Sequence, residues 1–195
     1  HGDVLGTGEI LIPGVYQIAA AGSIAGTLTL DAGGDANAQF IFKIGGALTT
    51  TAGTEIILLN NAQACNVFWV AEGAIGMAAV TTMKGTLIAN NAAISMAAGG
   101  QLEGRMFSTS GAVAIDATTA RIPLGCGLAE LTGPPAPTLA STECFALFTA
   151  NGALANTGTT VVTGDVGTNV GATSGFVSGD VTGTIHLVPD TETAT

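Results

Sequence analysis

Charged side chains are scarce in this chain of 195 residues: they make up 9% of it, against about 25% in ordinary globular domains. Basic residues are scarcest, since four Lys and Arg stand against fourteen Asp and Glu and the net charge is −10. A protein that binds nucleic acid needs a basic surface to neutralise phosphates, so no nucleic-acid partner is expected. The apolar fraction of 47% is that of a folded protein, which excludes a disordered chain.

Long apolar runs are also missing. Asn, Gly or Thr interrupts every run well before the roughly 18 residues that a membrane-spanning helix needs, so no membrane span is predicted. The shortage of Lys, the abundance of Thr and Asn and the acidic balance favour a protein that is secreted or at the cell surface, where a disulfide could persist.

The sequence offers little for catalysis. Its two histidines are His1 and His186, and the alternation in "GTIHLV" predicts that His186 is an ordinary strand residue. Gly-x-Ser-x-Gly, P-loop and Cys-x-x-Cys motifs are absent. The segment "DAGGDAN" (Asp31, Asp35, Asn37) lacks the alternating oxygen ligands and the final Glu of an EF-hand loop, so a plain turn is predicted. We therefore expect neither an enzyme, nor a cofactor, nor a metal site.

Cysteine is rare, with three residues: Cys65, Cys126 and Cys144. We expect a disulfide between Cys126 and Cys144, on either side of the proline-rich segment at 133–138. On the chain-entropy model this disulfide would stabilise the fold by about 3 kcal/mol. Three cysteines permit three single pairings, so Cys65 could instead take either partner.

The sequence contains four copies of a similar short segment. It reads "GALTTTAGTEI" from Gly46, "GAIGMAAVTTM" from Gly73, "AAISMAAGGQL" from Ala92 and "GAVAIDATTARI" from Gly111. The apolar third residues are Leu48, Ile75, Ile94 and Val113, spaced by 27, 19 and 19 residues. In the first three repeats a second apolar residue follows eight positions later: Ile56, Met83 and Leu102. A fixed period near 19 residues is typical of one coil of a β-solenoid.

Local patterns agree with strands. "TLTLD" and "QFIFKI" alternate strictly, and "EIILL" is rich in β-branched residues. Glycine and asparagine separate these segments as turns do. Of Phe68 and Trp69, which are adjacent, one is predicted to face the core and the other the surface. The four methionines are interpreted as core residues: Met77, Met83, Met96 and Met106.

The second part of the chain is organised differently. "GPPAPT" at 133–138 is a proline-rich connector. We expect the main solenoid coils in 1–132 and, in 139–195, strands that complete the same solenoid. The 57 residues of the second segment would form only a marginal domain by themselves.

Several of these phrases resemble a known family. "LIPGVYQIAAAG", "GTLTLDAGGDANAQFIFKIGG" and "AQACNVFWV" are similar to the middle of the microbial ice-binding β-solenoid family, and "LEGRMFSTSGAVAID" to its last coils. "TGTTVVTGDVGTNVGATSGFVSGDVTGTIH" resembles the family's N-terminal segment, yet it comes last here. The chain therefore looks circularly permuted or cut from a tandem array. The long helix that flanks the family's solenoid has no counterpart in the sequence.

This resemblance implies an all-β, irregular right-handed β-solenoid that binds the surface of ice crystals and so slows their growth and recrystallisation. Ice-binding members carry motifs of the form Thr-(Ala or Gly)-any-(Thr or Asn) on a flat face, and residues 51–54 and 157–160 match. The ice-binding residues that it implies are Thr51, Thr54, Thr81, Thr82, Thr157 and Thr160.

The permuted order and the missing helix favour an alternative, in which the chain is a structural repeat of an extracellular fibre or a cell-surface adhesin. Its partners would then be copies of itself or neighbouring repeats.

Overall fold

Parallel strands stacked in register form the body of the molecule. The computed structural model describes residues 2–124, 144–177 and 179–188. Each coil of the chain adds strand residues to three faces, and 8 coils follow one another along the stack in sequence order. The chain therefore folds as a β-solenoid, as the repeat predicted.

The first face is a sheet of its own. Its strands are β1 (Val4–Gly6), β4 (Gly22–Ala25), β7 (Leu48–Thr50), β10 (Ile75–Met77), β12 (Ile94–Met96), β14 (Val113–Asp116), β17 (Leu154–Thr157) and β20 (Thr173–Ser174).

The second face continues into the third within one sheet. The strands of the second face are β2 (Glu9–Leu11), β5 (Thr27–Asp31), β8 (Glu55–Leu59), β11 (Thr82–Ala89), β13 (Gln101–Ser108), β15 (Thr119–Arg121), β18 (Val161–Thr163) and β21 (Val181–Thr182). Those of the third face are β3 (Gly14–Ile18), β6 (Phe40–Ile44), β9 (Val67–Ala71), β16 (Phe145–Thr149), β19 (Asp165–Thr168) and β22 (Ile185–His186), together with the second halves of β11 and β13.

The repeated apolar residues stack directly on one another. Ile75 pairs with Leu48 on one side and with Ile94 on the other, and Ile94 pairs with Val113. Met83 pairs with Leu102 on the second face in the same way. The repeats found in the sequence therefore correspond to successive coils of the solenoid.

The unequal spacing of the repeats has a structural cause. In the third coil a loop with the 3₁₀ turn Ala64–Asn66 connects β8 to β9. In the next two coils β11 and β13 run from the second face to the third without a loop. Residues 85–89 and 104–108 are thus the second halves of two long strands, β11 and β13.

Glycine is required where β11 and β13 bend between faces. Gly85 has φ +106°, a backbone conformation that side chains disfavour. A Cβ on Gly104 would lie 1.8 Å from the carbonyl oxygen of Gly85. The two coils can stack at this bend only because both residues lack a side chain.

Aliphatic and aromatic ladders fill the interior. On the third face the rings of Tyr16, Phe42 and Trp69 stack, with centroids 5.2 Å and 3.9 Å apart. Trp69 is fully buried and its indole N–H donates to the carbonyl of Lys84 at 2.9 Å. Phe68 points outward from the same strand, as predicted for one of the pair. All four methionines are buried, which confirms their interpretation as core residues.

Many residues on the outer side of the third face are apolar, although the exposed Gln17 and Lys43 also lie there. The outward residues Ile41, Phe68, Val70, Ile88 and Phe107 are half-buried. Within the described ranges, the sole helical element is the 3₁₀ turn of residues 64–66.

Strands of the second segment continue the stack of the first. β17 pairs with β14, β18 with β15, and β16 with β13. The proline-rich connector at 133–138 lies outside the described residues.

The predicted disulfide between Cys126 and Cys144 is wrong. Cys144 lies in the turn that enters β16, where its thiol is free and exposed to solvent. Cys65 is disulfide-bonded, which favours the alternative pairing that includes it. Cys126 lies outside the described residues.

Candidate functional site

The six threonines proposed for ice contact do not share a surface. Thr51 and Thr157 are exposed at the edge of the first face, where β7 and β17 end. Thr82 is the first residue of β11 and lies on the second face. The other three are buried in the corner between these two faces.

These buried threonines satisfy backbone groups rather than face solvent. Thr54 is 0% exposed, and its hydroxyl donates to the carbonyl of Ile24 at 3.1 Å. Thr81 is 0% exposed as well and donates to the carbonyl of Ala78 at 2.8 Å. The chain turns a corner within each motif, so its first threonine stays outside and its last enters the core. Thr54 and Thr81 are therefore corrected from surface contacts to corner residues.

Thr160 has the same role further along the stack. It is 1% exposed, donates to Asn156 Oδ1 at 2.6 Å and accepts from the backbone N–H of Thr118 at 3.3 Å. A group enclosed in this way cannot touch an ice surface, and the prediction for Thr160 was wrong for the same reason.

A column of alanines runs along the first face, and the search for threonine motifs in the sequence missed it. Each of them accepts, through its carbonyl, a backbone hydrogen bond of 2.8–3.0 Å from the preceding coil. Its members are Ala47, Ala74, Ala93, Ala112, Ala153 and Ala172. The repeats contained this signal, because each has an alanine directly before its first apolar residue.

A second column runs down the middle of the first face. It consists of the outward residues of successive strands, which are paired in register. Its members are Ser23, Thr49, Gly76, Ser95, Ala114, Ala155 and Ser174. None is larger than threonine, so no side chain rises far above the sheet.

The third column lies along the edge next to the second face. It follows from the same register and contains Ala25, Thr51, Ala78, Ala97, Asp116 and Thr157. Strands in such a sheet are about 4.8 Å apart, and alternate residues along a strand about 6.6 Å. From the second coil to the seventh, the first face is thus a shallow grid of methyl and hydroxyl groups, and Asp116 is the one charged residue in its three columns.

The second face has the same backbone spacing and a different chemistry. Glu103 accepts from Lys84 Nζ at 2.8 Å and from Arg121 Nη2 at 3.0 Å, across three neighbouring coils. Partial burial pushes the pKa of Glu103 up, but hydrogen bonds from these two cations and their positive charge outweigh it and lower the pKa. Because of these charged side chains the second face is neither neutral nor smooth.

The remaining polar residues that the sequence singled out have structural contacts. His186 is buried against the ring of Phe145, with its Nε2 3.6 Å from Asp165 Oδ2. Asp31 accepts from the backbone N–H of Gly33 at 2.8 Å, and Asp35 from that of Asn37 at 2.9 Å, as in tight turns. In the part of the chain that the structure describes, no cluster of His, Cys, Asp and Glu suits a metal ion.

No helix in the described ranges is long and apolar enough to cross a membrane.

Comparison with known proteins shows which family the chain resembles. The profile of the family described as Ice-binding-like matches residues 1–121. The chain is 39% identical over 109 residues to Ice-binding protein 1 of Shewanella frigidimarina, covering 55% of this chain and 12% of that protein. It is 36% identical over 110 residues to an ice-binding protein of Nostoc sp., covering 56% of this chain and 40% of the relative.

Solved structures show the same fold. The crystal structure of an ice-binding protein from an Antarctic bacterium of the Flavobacteriaceae matches with a TM-score of 0.64 and 54% identity. The match covers 98% of this chain, hence both sides of the connector, and 45% of that protein. A second structure, from the Antarctic ascomycete Antarctomyces psychrotrophicus, matches with a TM-score of 0.57 and 35% identity over 60% of this chain and 56% of that one.

The chain spans less than half the length of these two curated relatives and of the bacterial structure. The family profile nevertheless covers more than half of the chain, in the region that forms the first five coils of the solenoid and two faces of the sixth. The chain belongs to the ice-binding-like family.

Proposed function

We propose that this protein binds ice and that the first face of the solenoid is the contact surface. The observation that supports the proposal is the register of its three outward columns, in which Ala, Ser, Thr and Gly repeat from coil to coil. Of the predicted threonines, Thr51 and Thr157 remain part of this surface. Thr82 is assigned to the second face and is not a contact.

The chemistry of the grid suits contact with a crystal of water. Methyl groups do not compete for hydrogen bonds, so water above them bonds to other water molecules. Hydroxyl groups at fixed spacing, such as those of Thr49 and Ser95, accept and donate hydrogen bonds without imposing a charge. A rigid parallel sheet holds both kinds of group at constant intervals. The face can therefore order a layer of water that merges with an ice lattice.

Because ice grows outside cells, the proposal places the protein in the extracellular medium or on the cell surface. No enzymatic step is involved. The effect is adsorption to ice, which slows growth and recrystallisation of the crystals.

The test is to place one bulky residue on each face. Ser95→Tyr would raise a ring above the first face and keep ice from the neighbouring coils. Thr119→Tyr would do the same on the exposed surface of β15, on the second face. We expect wild type and Thr119→Tyr to inhibit ice recrystallisation at the same concentration and Ser95→Tyr to lose most of the activity, with all three melting cooperatively.

Two outcomes would count against the proposal. A folded wild-type protein without effect on ice growth would remove the function itself. Equal activity in the two variants, or loss in Thr119→Tyr alone, would keep the function and transfer it to another face.

A second candidate function, that of a structural repeat, rests on the ends of the solenoid. Among the described residues, the strands of the first and last coils are hydrogen-bonded on one side only. Large apolar side chains are exposed there, including Ile10 (61%) and Val15 (63%) at one end and Val177 (65%) and Leu187 (63%) at the other. Open strand edges with apolar residues favour end-to-end association. Filaments in sedimentation and electron microscopy at micromolar concentration would support this role, and a monodisperse monomer would argue against it.

A further inference from the structure

Asp116 is the exception on the first face. It ends β14, and its neighbours in the edge column are Ala97 on one coil and Thr157 on the next. On the first face, the other outward residues of the second to seventh coils are Ala, Ser, Thr or Gly. A carboxylate therefore sits within a surface that is otherwise neutral and small.

The carboxylate has no structural task that would account for it. Within the described ranges it makes no hydrogen bond and no ion pair. A Cβ built on Gly158 would lie 3.0 Å from Asp116 Oδ1, so the group leans toward the next coil along the edge of the face. The cations Lys84 and Arg121 lie on the second face, where they bind Glu103.

We infer that Asp116 limits the ice-binding area of the first face, so that replacing it with threonine strengthens ice binding. This inference rests on the proposed function. A carboxylate binds water strongly and orients it toward its oxygens, and removing that water is costly unless a partner replaces it. Water ordered by the methyl and hydroxyl grid must therefore break off around Asp116. The edge column is then neutral without a break only from the second coil to the fifth, and Thr157 on the seventh coil is separated from that part of the column.

The other residues of the edge column indicate which residue should replace Asp116. Thr51 and Thr157 occupy the same column, and Thr157 is paired directly with Asp116. A β-branched residue suits a strand at this position. Asp116→Thr would therefore continue the column without a change in backbone, and Asp116→Asn would remove the charge alone.

The experiment compares four purified proteins in an ice-recrystallisation assay with a melting curve for each. They are wild type, Asp116→Thr, Asp116→Asn and Glu55→Gln. Glu55 is exposed on the second face, so the last variant removes one negative charge away from the first face. We expect Asp116→Thr to inhibit recrystallisation at a several-fold lower concentration than wild type, Asp116→Asn to show a smaller gain, and Glu55→Gln to equal wild type.

The outcomes separate this inference from the function on which it rests. Active wild type with Asp116→Thr equal or weaker overturns the inference alone, and a weaker variant makes the carboxylate a contact with ice. An equal gain in Glu55→Gln also overturns it, because net charge and not position is then responsible. Inactive wild type with inactive variants overturns both. Inactive wild type with active Asp116→Thr supports the inference in its strongest form.

Discussion

The first and second faces of the solenoid differ in everything except their backbone. Both are parallel sheets with residues in register over the same coils. On the first face the outward residues are small and neutral, and Ala112, Ala114 and Ser95 lie side by side. On the second face Lys84, Glu103 and Arg121 occupy the equivalent central column. The hydrogen-bonded ladder thus sets the same spacing on both faces, and the choice of outward side chains makes the first neutral and shallow and the second ionic.

The largest effect should come from the backbone that the faces share. In Gly104→Ala the new methyl group would collide with the carbonyl oxygen of Gly85, 1.8 Å away, so the coils must separate where β11 and β13 bend. We expect the free energy of unfolding to fall by about 3 kcal/mol. Urea unfolding followed by circular dichroism measures it.

The matched control for this change is Gly76→Ala. A Cβ there would meet nothing closer than Ser95 Oγ at 3.9 Å, and alanine already occupies other positions of the first face. Stability should change by less than about 0.5 kcal/mol, and ice activity should persist. Equal destabilisation by the two substitutions would show that the bend is not the tight point of the stack.

The next largest effect concerns the corner between the two faces. Thr54→Val keeps the shape of the side chain but removes the hydroxyl that bonds to the carbonyl of Ile24 and lies 3.1 Å from Thr51 Oγ1. The carbonyl of Ile24 keeps its hydrogen bond from the backbone N–H of Thr51 at 3.0 Å, so losing this second donor should lower the free energy of unfolding by about 1 kcal/mol. Ice activity of the folded variant should equal that of wild type, because the residue is enclosed. A loss of activity without a loss of stability would return Thr54 to the contact surface.

The ionic cluster predicts a smaller and pH-dependent contribution from the second face. The pKa of Glu103 is lower in the folded protein than its ordinary value of 4.5, so its contribution to stability is present above that value and is lost as the pH falls through the folded pKa. Since both ion pairs of Glu103 are partly exposed, they should contribute about 1 kcal/mol at most to the free energy of unfolding. Urea unfolding of wild type and Glu103→Gln from neutral pH to about pH 3 measures the difference, which should shrink below the ordinary pKa of glutamate. A difference that is constant over this range would assign the stabilisation to packing.

The sequence predicted the solenoid because its signal is periodic: Leu48, Ile75, Ile94 and Val113 recur at the spacing of coils and face the core. The corner could not be predicted in the same way. A threonine that bonds to a backbone carbonyl inside the corner and one that faces water both occur next to small residues, so Thr51 and Thr54 look alike in the sequence. In the folded chain a turn separates the two residues, so that Thr51 is exposed and Thr54 is buried. Each repeat contains an alanine of this column, but alanine by itself predicts neither a strand nor a surface position. The column is recognisable only from the way the coils are paired.

The smallest effect, and the sharpest test of the difference between the faces, comes from two equivalent hydroxyl deletions. Thr51→Val removes a hydroxyl from the edge column of the first face, and Thr82→Val removes one from the outer side of β11 on the second. Both residues are at the surface, so stability should change by less than about 0.5 kcal/mol in each case. Thr51→Val should weaken recrystallisation inhibition slightly, since the methyl groups and the flatness of the grid remain, whereas Thr82→Val should have no effect. A greater loss in Thr82→Val than in Thr51→Val would mean that ice meets the second face, and the contrast between a neutral contact surface and an ionic outer surface would fail.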